Sequence, residues 1–314
     1  PVDKAFDPSE SGLIGPPMSS VTSHSGILEA KQTSANPNWA GVMVHLLNRA
    51  GVQRGQLVAL GLSGSFPAIN IATLAAIKQL GLRPVIISST AASQYGANMP
   101  KLLWLDMEDA LKAQGFFAWT SKAASLGGVQ DQALGMSAEG QALLEAAIKK
   151  RAIKFIQSKE LSESVEARMA VYQEEAGAEE YAAYVNIGGG SASVGTFVGK
   201  KLFRPGLNRT APRGTANLDA VMSRFLQDGI PVIHMVQLDK QAARYGLQLH
   251  PTVLPPVGQG QIFYREEYSP WLAGGMLALI IVLLFLFVRT DLGSRLLKIE
   301  RSAKGGGDQP QKMV

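Results

Sequence analysis

Residues 56–89 read QLVALGLSGSFPAINIATLAAIKQLGLRPVIISS, and this stretch indicates the fold class. Its two ends, QLVALGL (56–62) and RPVIISS (83–89), are short apolar runs of strand length. Between them, PAINIATLAAIKQLG (67–81) is typical of a helix, with Pro67 in its first turn and Gly81 just past its end. The order strand, helix, strand predicts a parallel βαβ unit.

The same alternation continues on both sides of this unit. A helix that starts after residue 36 carries Trp39, Val42 and Leu46 on one face and ends at Gly51. Downstream, the patterns predict a helix at 100–115, a strand at 116–120, one broken or two consecutive helices across 137–176, a strand at 181–187, a helix at 215–229, a strand at 230–236 and a short helix at 238–246. We therefore expect an α/β fold, a mainly parallel, doubly wound sheet of about five strands with helices on both faces.

A membrane-spanning helix is predicted near the end of the chain, where residues 268–288 carry no charge. A helix of that length covers the ~30 Å hydrocarbon core of a bilayer. The 26 residues that follow contain six Lys or Arg against three Asp or Glu, which places them on the cytoplasmic side and the main domain on the other. The runner-up interpretation is a tail-anchored cytosolic protein.

This topology gives five predicted segments. They are an irregular lead-in (1–35), an extracytoplasmic α/β domain (36–250), a juxtamembrane linker (251–268), a transmembrane helix (269–288) and a basic cytoplasmic tail (289–314). No export signal is visible in the first fifty residues. Because the chain begins with Pro1, we expect that a signal or first span was removed or left out.

Composition excludes several classes of site and partner. The chain of 314 residues has no cysteine, so disulfides and thiolate metal sites are impossible, and its four histidines have no ligand spacing. We expect no metal and no cofactor. Nucleic acid is not an expected partner, because aromatic residues do not interleave with the basic ones.

In parallel sheets, ligands bind at the carboxyl ends of the strands, so the loops there hold the candidate site residues. GLSGSFPAIN (61–70) offers Ser63, Gly64 and Ser65, either as ligand contacts, with Ser65 capping the next helix, or as a nucleophile on an imperfect G-x-S-x-G turn. The weak candidate bases for such a nucleophile are His234, with Asp239 nearby, and Lys122. The loop after the next strand adds the neutral candidates Ser89, Gln94 and Asn98.

A second glycine cluster, VNIGGGSASVG (185–195), follows another predicted strand. Gly188, Gly189, Gly190 and Ser191 predict either a nest of backbone amides for a carboxylate or phosphate, or a tight structural turn. The stretch from 181 to 218 has five basic residues and no acidic one, so we add Lys200 and Arg209 to the expected anion site. The Glu-rich segment before it is expected to be a solvated helix face.

Two of these stretches also suggest a family. GLSGSFPAINIATLAAIKQLGLRPVIISSTAASQYGANMPKLLWLDME (61–108) and YVNIGGGSASVG (184–195), together with the C-terminal span, resemble the poly-γ-glutamate system protein family over most of residues 36–288. Members are bacterial membrane proteins encoded beside the poly-γ-glutamate ligase and its export partners. The resemblance implies a role in making, exporting or processing extracellular polyglutamate, but it carries over no catalytic residue.

The function expected from all of this is that of a membrane-anchored accessory component of poly-γ-glutamate synthesis or export. It would bind the anionic polymer or a γ-glutamyl end group, beside other membrane proteins of the same system. The alternative is a serine hydrolase or amide transferase that acts on γ-glutamyl or cell-wall amides. The sequence leaves open whether the protein is an enzyme.

Overall fold

The computed structural model describes residues 2–195, 197–215, 218–264 and 269–289, without the side chains of residues 197 and 198. The chain divides into two compact units, Pro1–Tyr264 and Arg265–Val314.

The described part of the first unit contains strands and helices in alternation. Its strands are β1 (Leu57–Ser63), β2 (Arg83–Ser89), β3 (Asn98–Met99), β4 (Leu102–Leu103), β5 (Ala123–Ser125), β6 (Lys154–Ile156), β7 (Tyr181–Ile187), β8 (Gly206–Asn208) and β9 (Val232–Met235). Its helices are α1 (Leu28–Ser34), α2 (Trp39–Ala50), α3 (Pro67–Leu80), α4 (Trp104–Ala113), α5 (Ala138–Lys149), α6 (Leu161–Ala176), α7 (Ser191–Val194), α8 (Phe197–Leu202), α9 (Val221–Gln227) and α10 (Leu238–Arg244). The second unit contains α11 (Pro270–Arg289).

Seven strands form one sheet in the order β6-β5-β2-β1-β7-β9-β8, and β3 and β4 form a separate antiparallel pair. All neighbours in the large sheet pair in parallel except the edge strand β8, which runs antiparallel to β9. From β1 the chain adds β2, β5 and β6 on one side, then crosses to place β7 and β9 on the other side. The strand order therefore reverses between β1 and β7, where α/β sheets of this kind bind ligands.

Helices cover both faces of the sheet, as predicted. Alternate residues of β1 point to opposite faces, so Val58 and Leu60 join one core cluster while Leu57 and Ala59 join another. The first cluster takes side chains from α2, α3, α4 and α10, and the second from α6, α7 and α9. The mainly parallel α/β prediction is thus confirmed.

The predicted number of strands was too low, because short strands carry little pattern. The expected strand at 116–120 is wrong, since Phe116 donates its amide to the Leu111 carbonyl at the end of α4 and the strand β5 lies further on. A strand, β6, separates the two helices predicted at 137–176, and β8 was also missed. Each of the three strands β5, β6 and β8 is three residues long and depends on pairing with neighbours.

The first compact unit also extends beyond the predicted domain of 36–250. In the lead-in, the buried Asn98 amide donates to the Pro16 carbonyl and to Thr22 Oγ1 at 2.8 and 2.9 Å. In the predicted linker, Asn38 donates to the Pro256 carbonyl and accepts from the Gly258 amide. Buried amide side chains therefore hold the lead-in and the predicted linker against the domain. Neither segment has a periodic pattern in the sequence that would predict this.

The C-terminal helix α11 starts and ends within one residue of the predicted span of 269–288. Among the described residues it is the one helix long and apolar enough to cross a membrane, and none of its residues is buried. The predicted tail, apart from Arg289 at the end of α11, lies outside the described residues, as do residues 216 and 217 of the helix predicted at 215–229.

Candidate functional site

A cavity of about 820 Å³ lies at the point where the strand order reverses. Ser63 at the end of β1, Ser89 at the end of β2 and the loop after β7 line it together. The two glycine-rich loops meet there, because a Cβ on Gly188 would lie 3.5 Å from Ser63 Cβ. A volume of this size is typical of small-molecule sites.

The lead-in forms another wall of the cavity, through residues between Ser23 and Lys31. A close backbone approach holds it there. The Gly26 amide donates to Gln94 Oε1 at 3.1 Å, and a Cβ on Gly26 would lie only 2.4 Å from the Gln94 carbonyl oxygen. The segment predicted as an irregular lead-in therefore contributes side chains to the site.

Lys31 of α1 is the most unusual of these side chains, because it is buried to 2% exposure. Its Nζ donates to the Ser65 carbonyl and, at 2.8 Å, to Ser93 Oγ, and it lies 4.0 Å from the centroid of the Phe66 ring. No carboxylate of the described chain forms an ion pair with it. Burial lowers the pKa of Lys31 to about 7.

The cavity lining carries more positive than negative side chains. The lining contains four basic residues, Lys31, Arg168, Lys200 and Lys240, and two acidic ones, Asp131 and Asp239. Lys200 lies against the glycine loop, since a Cβ on Gly189 would be 3.8 Å from Lys200 Cε. Burial lowers the pKa of His24 in the same lining, and the charges of Lys31 and Lys200 lower it further.

A buried ion pair, Arg168–Asp131, forms part of the cavity wall. Arg168 Nη2 donates to both Asp131 carboxylate oxygens at 3.0 and 2.9 Å and to Ser125 Oγ at 2.6 Å. Ser125 and Ser164 donate their hydroxyls to the same carboxylate. Asp131 has a left-handed backbone with φ 63°, a costly conformation that is held by this network.

The expected helix cap at Ser65 is wrong. Helix α3 has Phe66 as its N-cap and no side-chain cap. Ser65 Oγ instead accepts from the Ser93 amide at 3.0 Å, and Ser63 Oγ accepts from the Ser65 amide at 3.2 Å. The Ser65 hydroxyl therefore joins its loop to the loop after β2, and the Ser63 hydroxyl closes a turn within the first of these loops.

Neither predicted base lines the cavity that contains these serines, and each has a different partner. His234 is buried, its Nδ1 lies 2.9 Å from Asn186 Nδ2, and burial lowers its pKa to about 4, so it is neutral at physiological pH. Asp239, its predicted partner, lies 3.7 Å from His250 instead. Lys122 is half-exposed and pairs with Glu175 at 2.8 Å. The structure thus gives no support to a triad or dyad built on His234 or Lys122.

Several predicted ligand contacts lie elsewhere. Arg209 donates to the Arg49 carbonyl and follows Asn208, which pairs with Val232 at the start of β9, so it lies at the opposite end of the sheet from the cavity. Gly64 packs under the loops, where its would-be Cβ lies 3.0 Å from the Thr90 carbonyl. Gln94 and Asn98 hold the lead-in.

The remaining predicted residues do line the cavity: Ser63, Ser65, Ser89, Gly188, Gly189, Gly190, Ser191 and Lys200. The Gly188 amide is already bonded to the Met235 carbonyl. The amides of Gly189 and Gly190 have no partner within the part of the chain that the structure describes. These two amides and Lys200 are the donors that the glycine loop offers to a ligand.

Sequence reasoning missed the cavity residues His24, Lys31, Asp131, Arg168 and Lys240. Arg168 had a signal, because it lies three residues from both Val165 and Val171, on the apolar stripe of α6 that packs on the core. Lys31 had none. As for metals, the described residues hold no group of three or more His, Asp or Glu that could bind an ion.

Comparisons with protein-family models, with curated proteins and with solved structures gave no match. The fold and the cavity define an α/β protein with a cavity at the reversal of strand order that is lined by more basic than acidic side chains.

Proposed function

We propose that the protein is a membrane-anchored binding protein for an anionic ligand rich in carboxylates. The observation that carries the proposal is the excess of basic side chains around a ligand-sized cavity at the β1–β7 reversal point. Cations and free backbone amides that converge on a concave site favour carboxylates or phosphates. In line with the resemblance, the ligand we propose is the γ-glutamyl end of an extracellular polyglutamate.

The size of the cavity favours an end group over the body of the polymer. A cavity of about 820 Å³ encloses a few residues, whereas a polymer that passes along the surface needs an open groove. Lys200, Lys240 and the amides of Gly189 and Gly190 would receive the ligand carboxylates. Asp131 does not oppose them strongly, because Arg168 already neutralises it.

The helix α11 supports the proposed anchor, since it is long and apolar enough to span a bilayer. With the basic tail in the cytoplasm, the α/β unit lies outside, where it would meet the polymer and other membrane proteins of the same synthesis or export system. Protease added to intact cells should then degrade the α/β unit and spare the tail. Protection of the α/β unit would reverse this topology.

Calorimetry with tri-γ-glutamate and the detergent-solubilised full chain tests the binding function. We expect affinity to fall as salt rises, because exposed charges are screened beyond ~8 Å at physiological ionic strength. Lys200→Ala should weaken binding about twofold to fivefold, as expected for one exposed charge contact. Arg209→Ala is the matched control, because Arg209 lies at the other end of the sheet, and it should bind like the wild type. An affinity for tri-γ-glutamate that changes neither with salt nor in Lys200→Ala would contradict the proposal.

The alternative function, a hydrolase with Ser63 or Ser65 as nucleophile, receives no support from the geometry. The amine of Lys31 contacts the Ser65 carbonyl rather than a hydroxyl of either residue. That lysine meets a different serine hydroxyl in the same cavity.

A further inference from the structure

We propose that Ser93 is the nucleophile of an acyl-transfer site in this cavity and that Lys31 is its general base. The substrate class, an amide or ester of a carboxylate-bearing acyl group, rests on the proposed function. The assignment of the nucleophile and its base does not rest on the proposed function, because it follows from the arrangement of these two side chains.

The two groups are placed as such a pair requires. Lys31 Nζ lies 2.8 Å from Ser93 Oγ, within the range over which a base takes a proton from a nucleophile. Both side chains line the cavity, although Ser93 is only 4% exposed and Lys31 only 2%. The hydroxyl and its base are therefore largely shielded from bulk solvent and open only toward the cavity.

Both partners are held in position by other contacts. The Ser93 amide donates to Ser65 Oγ at 3.0 Å, and the Gly96 amide donates to the Ser93 carbonyl at 3.1 Å. Lys31 Nζ is fixed by the Ser65 carbonyl and by the face of the Phe66 ring. As an ammonium, Lys31 donates to Ser93 Oγ. As a neutral amine, it keeps its hydrogen bond to the Ser65 carbonyl, and its lone pair accepts the proton that the Ser93 hydroxyl donates.

The protonation state of Lys31 suits this role. Its pKa of about 7 leaves a large neutral fraction at physiological pH. The ionisable groups that share the cavity are His24, Asp131, Arg168, Lys200, Asp239 and Lys240. Asp131 and Arg168 neutralise each other, and burial is the cause that lowers the pKa of Lys31.

The reaction balances without any further reagent. Lys31 Nζ takes the Ser93 hydroxyl proton while Oγ bonds to the acyl carbon of the substrate. The carbon–nitrogen or carbon–oxygen bond of the substrate then breaks, and the leaving amine or alcohol takes the proton from Lys31. Water, or the amine of a second molecule, attacks the acyl-Ser93 ester, gives its proton to Lys31, and Ser93 leaves with that proton.

The experiment uses the full chain in detergent with two probes, p-nitrophenyl acetate and γ-glutamyl p-nitroanilide. We expect each to acylate Ser93, shown by intact mass and peptide mapping of the wild type. The rate should rise with pH through about 7 and level off above it, as Lys31 becomes neutral. Ser93→Ala should lower the rate at least about 100-fold. Lys31→Arg keeps a cation but cannot accept a proton, so it should lower the rate as much and still bind tri-γ-glutamate.

Matched controls separate this site from general reactivity. Ser162→Ala and Lys122→Ala change exposed or half-exposed side chains of the same types away from the cavity and should leave the rate unchanged. Peptide mapping of the wild type needs no variant, so the test holds even if Ser93→Ala fails to fold. Acylation of Ser63, Ser65 or Lys31 in place of Ser93 would overturn the proposal.

The outcomes also distinguish this inference from the proposed function. Binding of tri-γ-glutamate with no acylation by either probe would overturn the nucleophile and leave the binding function standing. Acylation of Ser93 by p-nitrophenyl acetate without any binding of tri-γ-glutamate would support the nucleophile and overturn the proposed ligand.

Discussion

Lys31 and Glu108 are both buried ionisable side chains with a pKa of about 7, yet their surroundings differ. The Glu108 carboxylate accepts hydrogen bonds from the Trp104 indole, the Ser121 amide and hydroxyl, and the Ser88 hydroxyl. The Lys31 amine donates to the Ser65 carbonyl and the Ser93 hydroxyl and lies over the Phe66 ring, and Lys31 lines the cavity.

We interpret this difference as one between a structural role for Glu108 and the functional role that we propose for Lys31. A buried polar network whose hydrogen bonds are all made fixes the packing of its neighbours, here α4 against β2. A buried amine without a counter-ion costs stability, and such costs concentrate at sites where a shifted pKa is used. The comparison is therefore consistent with the chemistry that we propose for the cavity and with a packing role for the Glu108 network.

The largest expected effect concerns the paired charge of the cavity wall. Arg168→Met leaves Asp131 buried without a counter-ion, so it should lower the free energy of unfolding by about 3–5 kcal/mol. Denaturation by urea measures this. The double variant Arg168→Met with Asp131→Leu removes both charges and should recover most of the loss. A single variant as stable as the wild type would contradict the pairing.

Lys31→Met tests the unpaired charge. Burial lowers the pKa of Lys31 to about 7 in the folded state, so between pH 7 and its ordinary value of 10.5 the unfolded chain binds more protons than the folded one. Stability of the wild type should therefore rise by about 3 kcal/mol from pH 7 to pH 9.5 through this group, and the variant should lose that rise. Lys149→Met, at an exposed position, should keep it. Equal slopes in wild type and Lys31→Met would show that Lys31 is not buried as a free amine.

Glu108→Gln tests the other buried group of the comparison. The contribution of Glu108 to stability falls as pH rises, whereas that of Lys31 increases. Burial raises the pKa of Glu108 from 4.5 to about 7, so its contribution to stability is full below pH 4.5 and is lost as pH rises through 7. The difference between wild type and variant should change by about 2.5 kcal/mol over that range. The difference is the quantity to measure, because His234, with a pKa of about 4, acts in the opposite direction over an overlapping range. Glu139→Gln, at an exposed position, should behave like the wild type, and a flat difference for Glu108→Gln would contradict its burial.

The sequence predicts the long elements of the fold well and the short ones poorly. Strand β2 has the predicted bounds, and α3 ends at Leu80, just before Gly81, whose φ of 63° favours glycine. Strands β5, β6 and β8 have three residues each, so their conformation depends on partners far away in the chain. No local pattern of three residues determines such pairing.

The site is predictable where it follows from strand ends and unpredictable elsewhere. Ser63 and Gly188 meet because parallel strands end at one edge of the sheet. Lys31 meets Ser93 across 62 residues, and it comes from a lead-in with no periodic pattern. Arg209 shows the opposite error, since nearness in sequence to the glycine loop placed it in the site, whereas the antiparallel β8 carries it to the far end of the sheet.

The smallest expected effect on stability concerns the backbone conformation of two glycines that line the cavity, Gly188 and Gly190. Gly188 has a φ of 87°, where an added Cβ costs about 1–2 kcal/mol, partly offset by the lower entropy of the unfolded chain. Gly188→Ala should therefore destabilise the fold by about 1 kcal/mol. Gly190 has φ −60° and ψ 140°, which alanine adopts readily, and nothing lies within 4 Å of its would-be Cβ. Gly190→Ala should thus gain about 0.5 kcal/mol. Thermal unfolding of the two variants side by side measures the difference, and equal effects would contradict a left-handed turn confined to Gly188.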